Sequence, residues 1–248
     1  MRVFPASILL MTLCAGLALG AEPVFTQDFP LKTCRFSPEG GNAFFPLKPG
    51  RQLYYNNARC VGAGECDELV ELWITTEDDI RRVTLGSGKN RLVVPTLIVE
   101  ERETEDGELV EISRNFFSTC NPARDVYYFG EEVDIYEDGE IVSHDGAWLA
   151  GRHGALPGII VPDSAFLIGT RYFQEVAPGV ALDRVEHVAT NLEINVPAGT
   201  FKGCIRTLET TPLEPGSKSF KSYCPGVGLV IDGDAELAAI YFTDDDDD

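Results

Sequence analysis

The sequence is poor in positive charge. Twenty Lys and Arg residues face 40 Asp and Glu residues, which gives a net charge of −20 at pH 7. A field of that sign repels the phosphates of nucleic acids and the headgroups of anionic lipids. We therefore expect no nucleic acid among the partners of this protein, whereas cations and basic surfaces are compatible with its charge.

Long apolar runs are also missing, apart from a single stretch near the N-terminus. That stretch runs from about Ile8 to Leu19, follows the basic Met1-Arg2 and ends in the small residues 18–21. It is shorter than the roughly 20 residues that a membrane-spanning helix needs, and it has the three parts of a secretory signal peptide. We predict a signal peptide over residues 1–20, no transmembrane segment, and a periplasmic or secreted mature protein.

Motifs for a catalytic nucleophile are absent as well. The sequence holds no Gly-x-Ser-x-Gly, and residues 86–90 fit a phosphate loop so incompletely that they are better interpreted as a hairpin turn. Forty acidic residues always offer carboxylate pairs of the kind that cleaves glycosides, so such pairs carry no specific signal here. A protein without enzymatic activity is favoured, and a hydrolase with dispersed carboxylates is the weaker alternative.

Cysteine is present in an even number once the predicted signal peptide, with Cys14, is removed. An even number in an exported chain predicts disulfides, because the compartment is oxidising. Two strands that fold back at residues 212–216 would bring Cys204 opposite Cys224, and a short flexible loop would join Cys60 to Cys66. Cys34 and Cys120 are then paired by elimination.

Helical stripes are lacking, and most of the chain alternates apolar and polar residues with a period of two. Runs rich in Val, Ile, Tyr and Phe end at turn residues, among them Asp106-Gly107, Asp138-Gly139 and Asp232-Gly233. The pattern predicts one all-β domain over residues 21–243, mainly antiparallel, built as a strongly curved sheet, an open barrel or a two-sheet sandwich. The five aspartates 244–248 are predicted to form a disordered acidic tail.

The segment Gly146–Ala165 departs from the alternation because glycine and proline recur in it. We expect it to be an ordered loop that crosses an end or edge of the sheet. A ligand groove could lie beneath such a loop, with Trp148, Phe166 and Tyr172 beside it. The competing interpretation is that these aromatic side chains simply fill the core.

Only three histidines occur, and two of them lie close together in the sequence. His144, Asp145 and His153 offer the nitrogen and oxygen ligands that zinc and copper accept, so they form a candidate metal site. Surface histidines that bind no metal are the competing interpretation. The acidic turns nearby also allow weak calcium binding, although they do not match the EF-hand pattern.

Three groups of residues resemble an uncharacterised family of exported bacterial β-rich proteins. They are the FPLxxG opening at Phe45–Tyr55, the PAGTF segment at Val196–Cys204 and the PGVGLV segment at Tyr223–Val230. The middle stretches Tyr127–Tyr136 and Ser143–Trp148 are similar to a subgroup of the same family. The resemblance implies a β-rich fold and an exported location, but it brings neither a reaction nor catalytic residues.

The sequence therefore favours an exported, non-catalytic binding or envelope-associated protein whose partner is an unidentified small molecule or envelope component. A secreted protein that binds calcium, zinc or copper is the alternative, with a divalent metal ion as its candidate cofactor.

Overall fold

A computed structural model describes residues 23–163 and 166–242. The predicted signal peptide and the predicted acidic tail lie outside these residues. Strands dominate the described chain, and the helices are short: one α-helix, α1 (Ala58–Ala63), and two 3-10 turns at Leu31–Thr33 and Gly88–Asn90. None of the described helices has both the length and the apolar character needed to span a membrane.

Sixteen strands make up the sheet. They are β1 (Arg35–Ser37), β2 (Arg51–Asn56), β3 (Val70–Leu85), β4 (Leu92–Glu105), β5 (Glu108–Asn121), β6 (Asp125–Glu137), β7 (Glu140–Ser143), β8 (Trp148–Leu149), β9 (Leu156–Val161), β10 (Arg171–Phe173), β11 (Glu175–Val176), β12 (Arg184–Val196), β13 (Gly199–Thr210), β14 (Ser219–Cys224), β15 (Gly228–Asp232) and β16 (Ala235–Phe242). The predicted all-β, antiparallel fold is confirmed.

The strands follow one path of neighbours, which runs β10-β12-β13-β14-β15-β16-β2-β3-β4-β5-β6-β9-β11, with β1 paired to β5 and with β7 and β8 paired to β6. The two ends of this path belong to one short segment. Its first half, β10, pairs with β12, and its second half, β11, pairs with β9, with only Gln174 between them. The sheet is therefore nearly closed into a barrel, which is the open-barrel form of the prediction.

Closure depends on a glycine. At Gly158, a Cβ atom would lie 2.3 Å from the carbonyl oxygen of Phe173 and 2.5 Å from that of Gln174. Real side chains do not approach a backbone so closely, so only glycine lets β9 meet the closing segment. The predicted loop Gly146–Ala165 is corrected here: Leu156–Val161 is the barrel strand β9, although its Pro-Gly pair made it look like a loop in the sequence.

The predicted Asp-Gly turns are confirmed, because each joins two neighbouring strands. Asp106 and Asp138 both adopt a left-handed φ, near 50°, which aspartate tolerates better than most residues. β3 continues through an irregularity between Thr76 and Ile80, where three consecutive acidic residues interrupt the apolar alternation. Such an irregularity bends a strand and favours a curved sheet.

All three predicted disulfides are present. Cys204–Cys224 links neighbouring strands, Cys60–Cys66 joins α1 to the turn that follows it, and Cys34–Cys120 fastens β1 to β5. Three disulfides are typical of proteins that fold in an oxidising compartment.

Two of the segments that carry the family resemblance pack against each other. The guanidinium of Arg51 donates to the carbonyl of Val227, and the Tyr55 hydroxyl donates to the carbonyl of Leu229 at 2.8 Å. Arg51 is 5% exposed and Tyr55 is fully buried. The opening strand and the strand after the Pro-Gly bend are thus held together through buried polar groups that have partners.

Candidate functional site

Acidic side chains from opposite sides of the barrel face one another in its interior. Glu101 on β4 and Glu131 on β6 interact electrostatically with each other, and Glu101 also interacts with Lys221 on β14 and Asp232 on β15. β4 lies far from β14 and β15 in the path of neighbours, so Glu101 can meet Lys221 and Asp232 only across the enclosed space. Glu175, Asp183 and Glu209 interact in the same way. The barrel therefore has an acidic interior.

The inner group of this interior consists of Glu209, Lys221 and Asp232. The Lys221 Nζ atom lies 3.5 Å from Glu209 Oε1 and 3.4 Å from Asp232 Oδ2. Burial alone would lower the pKa of Lys221, but the carboxylates of Asp232 and Glu209 outweigh that effect and hold its pKa well above the usual value. The Lys221 side chain still keeps 24% of its surface exposed, so the interior is open to solvent.

The mouth group consists of Glu131, Glu175 and Asp183. Among the described residues no ion pair joins any of the three to a basic side chain. Glu175 is 2% exposed, and its carboxylate accepts a hydrogen bond from the backbone N–H of Asp183. Burial, followed by repulsion from Asp183, raises the pKa of Glu175 well above its usual range.

A cavity of about 370 Å³ opens beside the mouth group. Its walls are Glu131, Gly146, Val180, Ala181, Asp183, Glu209, Thr210, Thr211, Leu213, Glu214, Ser217 and Ser219. The volume falls in the range of small-molecule sites in proteins, which begins at roughly 300 Å³. We call this space the mouth cavity.

Burial sets the protonation of the carboxyls around the mouth cavity. It raises the pKa of Glu131 to about 7, with further increases from Glu111 and Asp183, while the Tyr128 hydroxyl and the Trp148 indole offset part of the effect. Burial also raises the pKa of Glu101 to about 7. It raises the pKa of Asp183 above its ordinary value as well, although Lys221 and a hydrogen bond from Thr211 offset part of that effect. A bound cation would favour the ionised form of all these groups.

Trp148 lies next to the mouth group. It is 7% exposed, and its ring packs edge-on against Tyr128 with centroids 5.1 Å apart. Its buried Nε1–H is near enough to Glu131 to favour the ionised carboxylate and so to lower that carboxyl's pKa. The indole therefore helps to position Glu131 at the edge of the mouth cavity.

The predicted metal residues lie elsewhere and apart. His144 Nδ1 is 3.0 Å from Asp134 Oδ1 and 2.8 Å from the Val133 carbonyl oxygen, whereas Asp145 and His153 are exposed. Within residues 23–163 and 166–242, the only three candidate ligand atoms within 4.8 Å of one another belong to Cys60, Cys66 and Asp234. Two of these form a disulfide, so that group is not evidence of a metal site.

The predicted groove residues are only partly brought together. Phe166 stacks on His187 at 5.3 Å, and the Tyr172 hydroxyl is 3.0 Å from His187 Nε2. Tyr172 and His187 also line a separate cavity of about 380 Å³. Trp148 lies instead against Tyr128, beside the mouth group. Of the three predicted residues, therefore, Trp148 alone adjoins the acidic interior.

The sequence interpretation missed the residues of the mouth group and of the inner group. A usable signal exists in β4, where Leu97, Val99 and Glu101 occupy successive positions of one face. A carboxylate that continues a buried apolar alternation points into the enclosed space. The same holds for Glu209, which follows the buried Ile205 and Thr207 on β13.

Comparisons with known proteins add no relatives. No family model, no curated protein and no solved structure matches this chain.

Proposed function

We propose that this protein is an exported, non-catalytic binding protein that takes a positively charged ligand into the mouth cavity. The observation that carries the proposal is that the half-buried carboxyls of Glu131 and Asp183, both with raised pKa values, line a cavity of ligand size and form no ion pair among the described residues, with the buried Glu175 next to Asp183. Unpaired buried carboxylates are costly, and a cation placed among them would lower that cost.

The exported location draws on three further observations. Residues 1–20 have the pattern of a secretory signal peptide, three disulfides suit an oxidising compartment, and the motifs resemble those of exported bacterial β-rich proteins. A periplasmic or secreted protein would meet its ligand in the cell envelope or outside the cell. N-terminal sequencing of the natively exported protein should begin at Ala21, and material that begins at Met1 would argue against export.

Thermal unfolding in the presence of cations tests the binding proposal. Spermidine, calcium, zinc and copper chlorides are each compared with sodium chloride at equal ionic strength, because a specific ligand stabilises the folded state beyond general screening. We expect at least one of these cations to raise the melting temperature of the wild type. The increase should disappear in Glu131→Gln and in Asp183→Asn.

Glu132→Gln is the matched control. Glu132 is the next residue along β6, is exposed, and forms an ion pair with Arg81. Glu132→Gln removes the same charge as Glu131→Gln, but Glu132 does not line the mouth cavity. The rise in melting temperature that the cation causes should therefore survive in this variant. If none of the cations acts beyond sodium chloride, or if Glu131→Gln and Glu132→Gln respond alike, the proposed function is wrong.

A hydrolase is the second candidate, and one observation favours it. Glu101 and Glu131 both have a pKa of about 7, a value that suits a general acid near neutral pH. Chromogenic glycosides incubated with wild type and with Glu131→Gln would test this reading. Hydrolysis that the wild type supports and the variant loses would replace the binding proposal with an enzymatic one.

A further inference from the structure

The three disulfides differ in how far a reductant in solution can reach them. Cys204–Cys224 is fully buried, and Cys120, at one end of the second disulfide, is 5% exposed. Cys60 and Cys66 are both partly exposed, and a cavity of about 380 Å³ opens beside Cys60. Thiol–disulfide exchange requires a thiolate to reach a sulfur atom. Of the three disulfides, Cys60–Cys66 is therefore the most open to exchange.

The fold also depends least on this disulfide. Cys60 and Cys66 are 6 positions apart in the sequence, whereas the separation is 20 for Cys204–Cys224 and 86 for Cys34–Cys120. A disulfide stabilises a protein mainly by restricting the unfolded chain, and this restriction grows with the length of the loop that is closed. The short loop at Cys60–Cys66 therefore contributes the smallest part of the stability that the disulfides supply.

Hydrogen bonds hold the base of the same loop without help from sulfur. The side-chain amide of Asn57 donates to the Glu68 carbonyl oxygen at 3.0 Å, and its side-chain oxygen accepts the N–H of Val70 at 2.9 Å. Asn57 is 5% exposed, so water competes little for these bonds. Opening the disulfide therefore frees the segment between Asn57 and Glu68 but leaves the pairing of β2 with β3 in place.

Asp234 acts on the reactivity of the sulfur atoms. Its Oδ2 atom lies 3.8 Å from Cys66 Sγ. Cys60 lines the neighbouring cavity, so a thiolate that enters there attacks Cys60 and expels Cys66 as a thiolate beside the Asp234 carboxylate. The two negative charges repel each other, which makes Cys66 a poorer leaving group. Asp234 therefore slows an exchange reaction that the exposure of the pair permits.

We propose that Cys60–Cys66 is a thiol–disulfide exchange site that accepts two electrons from a dithiol while the barrel stays folded. One thiolate of the dithiol attacks Cys60 Sγ, the bond between the two cysteines breaks, and Cys66 leaves as a thiolate that takes up a proton. The second thiol of the dithiol then loses its proton and attacks the first, so that the dithiol closes to a disulfide and Cys60 leaves as a thiolate, which is protonated in turn. The dithiol is oxidised and gives up two protons, and the cysteine pair is reduced and gains them.

Reduction of the folded protein at pH 8 tests the proposal. Dithiothreitol, a small dithiol, and reduced thioredoxin, a protein dithiol, are each added to the wild type, the reaction is stopped with excess iodoacetamide, and the labelled cysteines are located by peptide mass spectrometry. We expect Cys60 and Cys66 to be labelled at least about tenfold faster than the other four cysteines, because they are the most exposed pair. Reduction by both probes assigns the site to dithiols of either source, and reduction by dithiothreitol alone assigns it to small dithiols.

Two variants test the route of attack. Asp234→Asn should speed the reduction of Cys60–Cys66 by dithiothreitol about threefold, because the leaving thiolate no longer meets a carboxylate. Asp138→Asn is the matched control, since it removes the same charge from an exposed turn of another hairpin. It should leave the rate unchanged. Near-UV circular dichroism during reduction of the wild type should keep its folded-state spectrum.

Three results would count against the proposal. If all three disulfides are reduced at equal rates, or if the near-UV spectrum is lost as Cys60–Cys66 opens, this pair is not a separate exchange site. If Asp234→Asn and Asp138→Asn are reduced equally fast, the attack does not expel Cys66 beside Asp234. The response to cations measures the mouth cavity and not this disulfide, so the exchange site and the proposed function can each fail alone.

Discussion

The inner group and the mouth group are built from the same side chains, yet they differ in one component. Glu209 and Asp232 share the ammonium of Lys221, whereas Glu131, Glu175 and Asp183 form no ion pair among the described residues. The inner group is complete within the chain, and its lysine has a raised pKa. The mouth group carries carboxyls with raised pKa values beside an open cavity. The difference is the basis of the proposal that the mouth group, which has no ion pair of its own among the described residues, accepts a cation.

The largest expected effect is the loss of the inner counterion. Lys221→Met should lower the free energy of unfolding at pH 8 by about 2 kcal/mol, because removal of one partner leaves buried charges uncompensated. This value is below the usual cost for a fully buried pair because the interior is partly open to solvent. Urea unfolding measures it. Lys202→Met, which breaks an exposed pair with Glu193, should change stability by less than about 0.5 kcal/mol.

If Lys221→Met and Lys202→Met are equally stable, the inner group is not held by its ammonium and the comparison with the mouth group loses its basis. At pH 5 the deficit of Lys221→Met should shrink, because burial raises the pKa of Glu209 and its protonation weakens the repulsion that the lysine offsets.

A substitution in the mouth group is expected to increase stability, unlike the substitution of Lys221. Glu131→Gln should raise the free energy of unfolding at pH 8 by about 1 kcal/mol, because the ionised carboxylate is held where its pKa is raised to about 7. Urea unfolding of Glu132→Gln, which keeps the mouth intact, supplies the control. A destabilised Glu131→Gln would mean that Glu131 already has a favourable partner in the unliganded protein.

Stability should also fall as pH rises from 6.5 to 8. Burial raises the folded-state pKa of Glu101 and Glu131 from 4.5 to about 7, so over this range the folded state binds more protons than the unfolded state. We expect a loss of about 0.5 kcal/mol for each carboxyl, measured by urea unfolding at several pH values. The double variant Glu101→Gln, Glu131→Gln should show a flatter profile.

His187 has the opposite effect on the pH dependence of stability, and its effect falls at lower pH. Burial lowers its pKa to about 4, below the unfolded value of 6.5, so its contribution to stability is lost as pH falls from 6.5 through 4. In the unfolded state His187 completes its titration between pH 6.5 and about 7.5, so it offsets part of the carboxyl effect there, and the range above about pH 7.5 isolates the carboxyls. A profile that rises between pH 6.5 and 8 would contradict the assignment of raised pKa values to Glu101 and Glu131.

The smallest expected effect is that of salt. Raising sodium chloride from about 0.05 to 0.5 M should stabilise the wild type by about 0.3 kcal/mol, because screening weakens the repulsion within the mouth group. Glu131→Gln should gain less, and thermal unfolding resolves the difference. If salt stabilises the wild type and Glu131→Gln equally, the repulsion that it screens lies on the outer surface and not in the mouth group.

Local patterns in the sequence predicted much of the fold. The Asp-Gly pairs at 106, 138 and 232 marked hairpins because their backbone preferences act within a few residues, and the cysteine pairs followed from spacing and elimination. The closure of the barrel was not predictable in the same way. It depends on Gly158 meeting the carbonyls of Phe173 and Gln174, a contact between segments that carry no signal of each other.

The candidate site was predicted less well than the fold. Trp148 was predicted as a groove residue and does adjoin the acidic interior, but the carboxylates that define the mouth group come from two separate regions of the chain, β6 and residues 175–183. Among 40 acidic residues, nothing local distinguishes Glu131 from Glu132 except the parity of its position on β6. Only the folded barrel shows which carboxylates share an enclosed space.

The most direct measurement is a ¹³C NMR titration of the Glu131 side-chain carboxyl, with and without the cation that raises the melting temperature most. The account predicts a pKa of about 7 in the free protein and a clear decrease when the cation is added, because a nearby positive charge favours the ionised form. A Glu131 carboxyl that titrates near 4.5 without the cation, or whose pKa does not respond to it, would contradict the proposal that the mouth group accepts a cation.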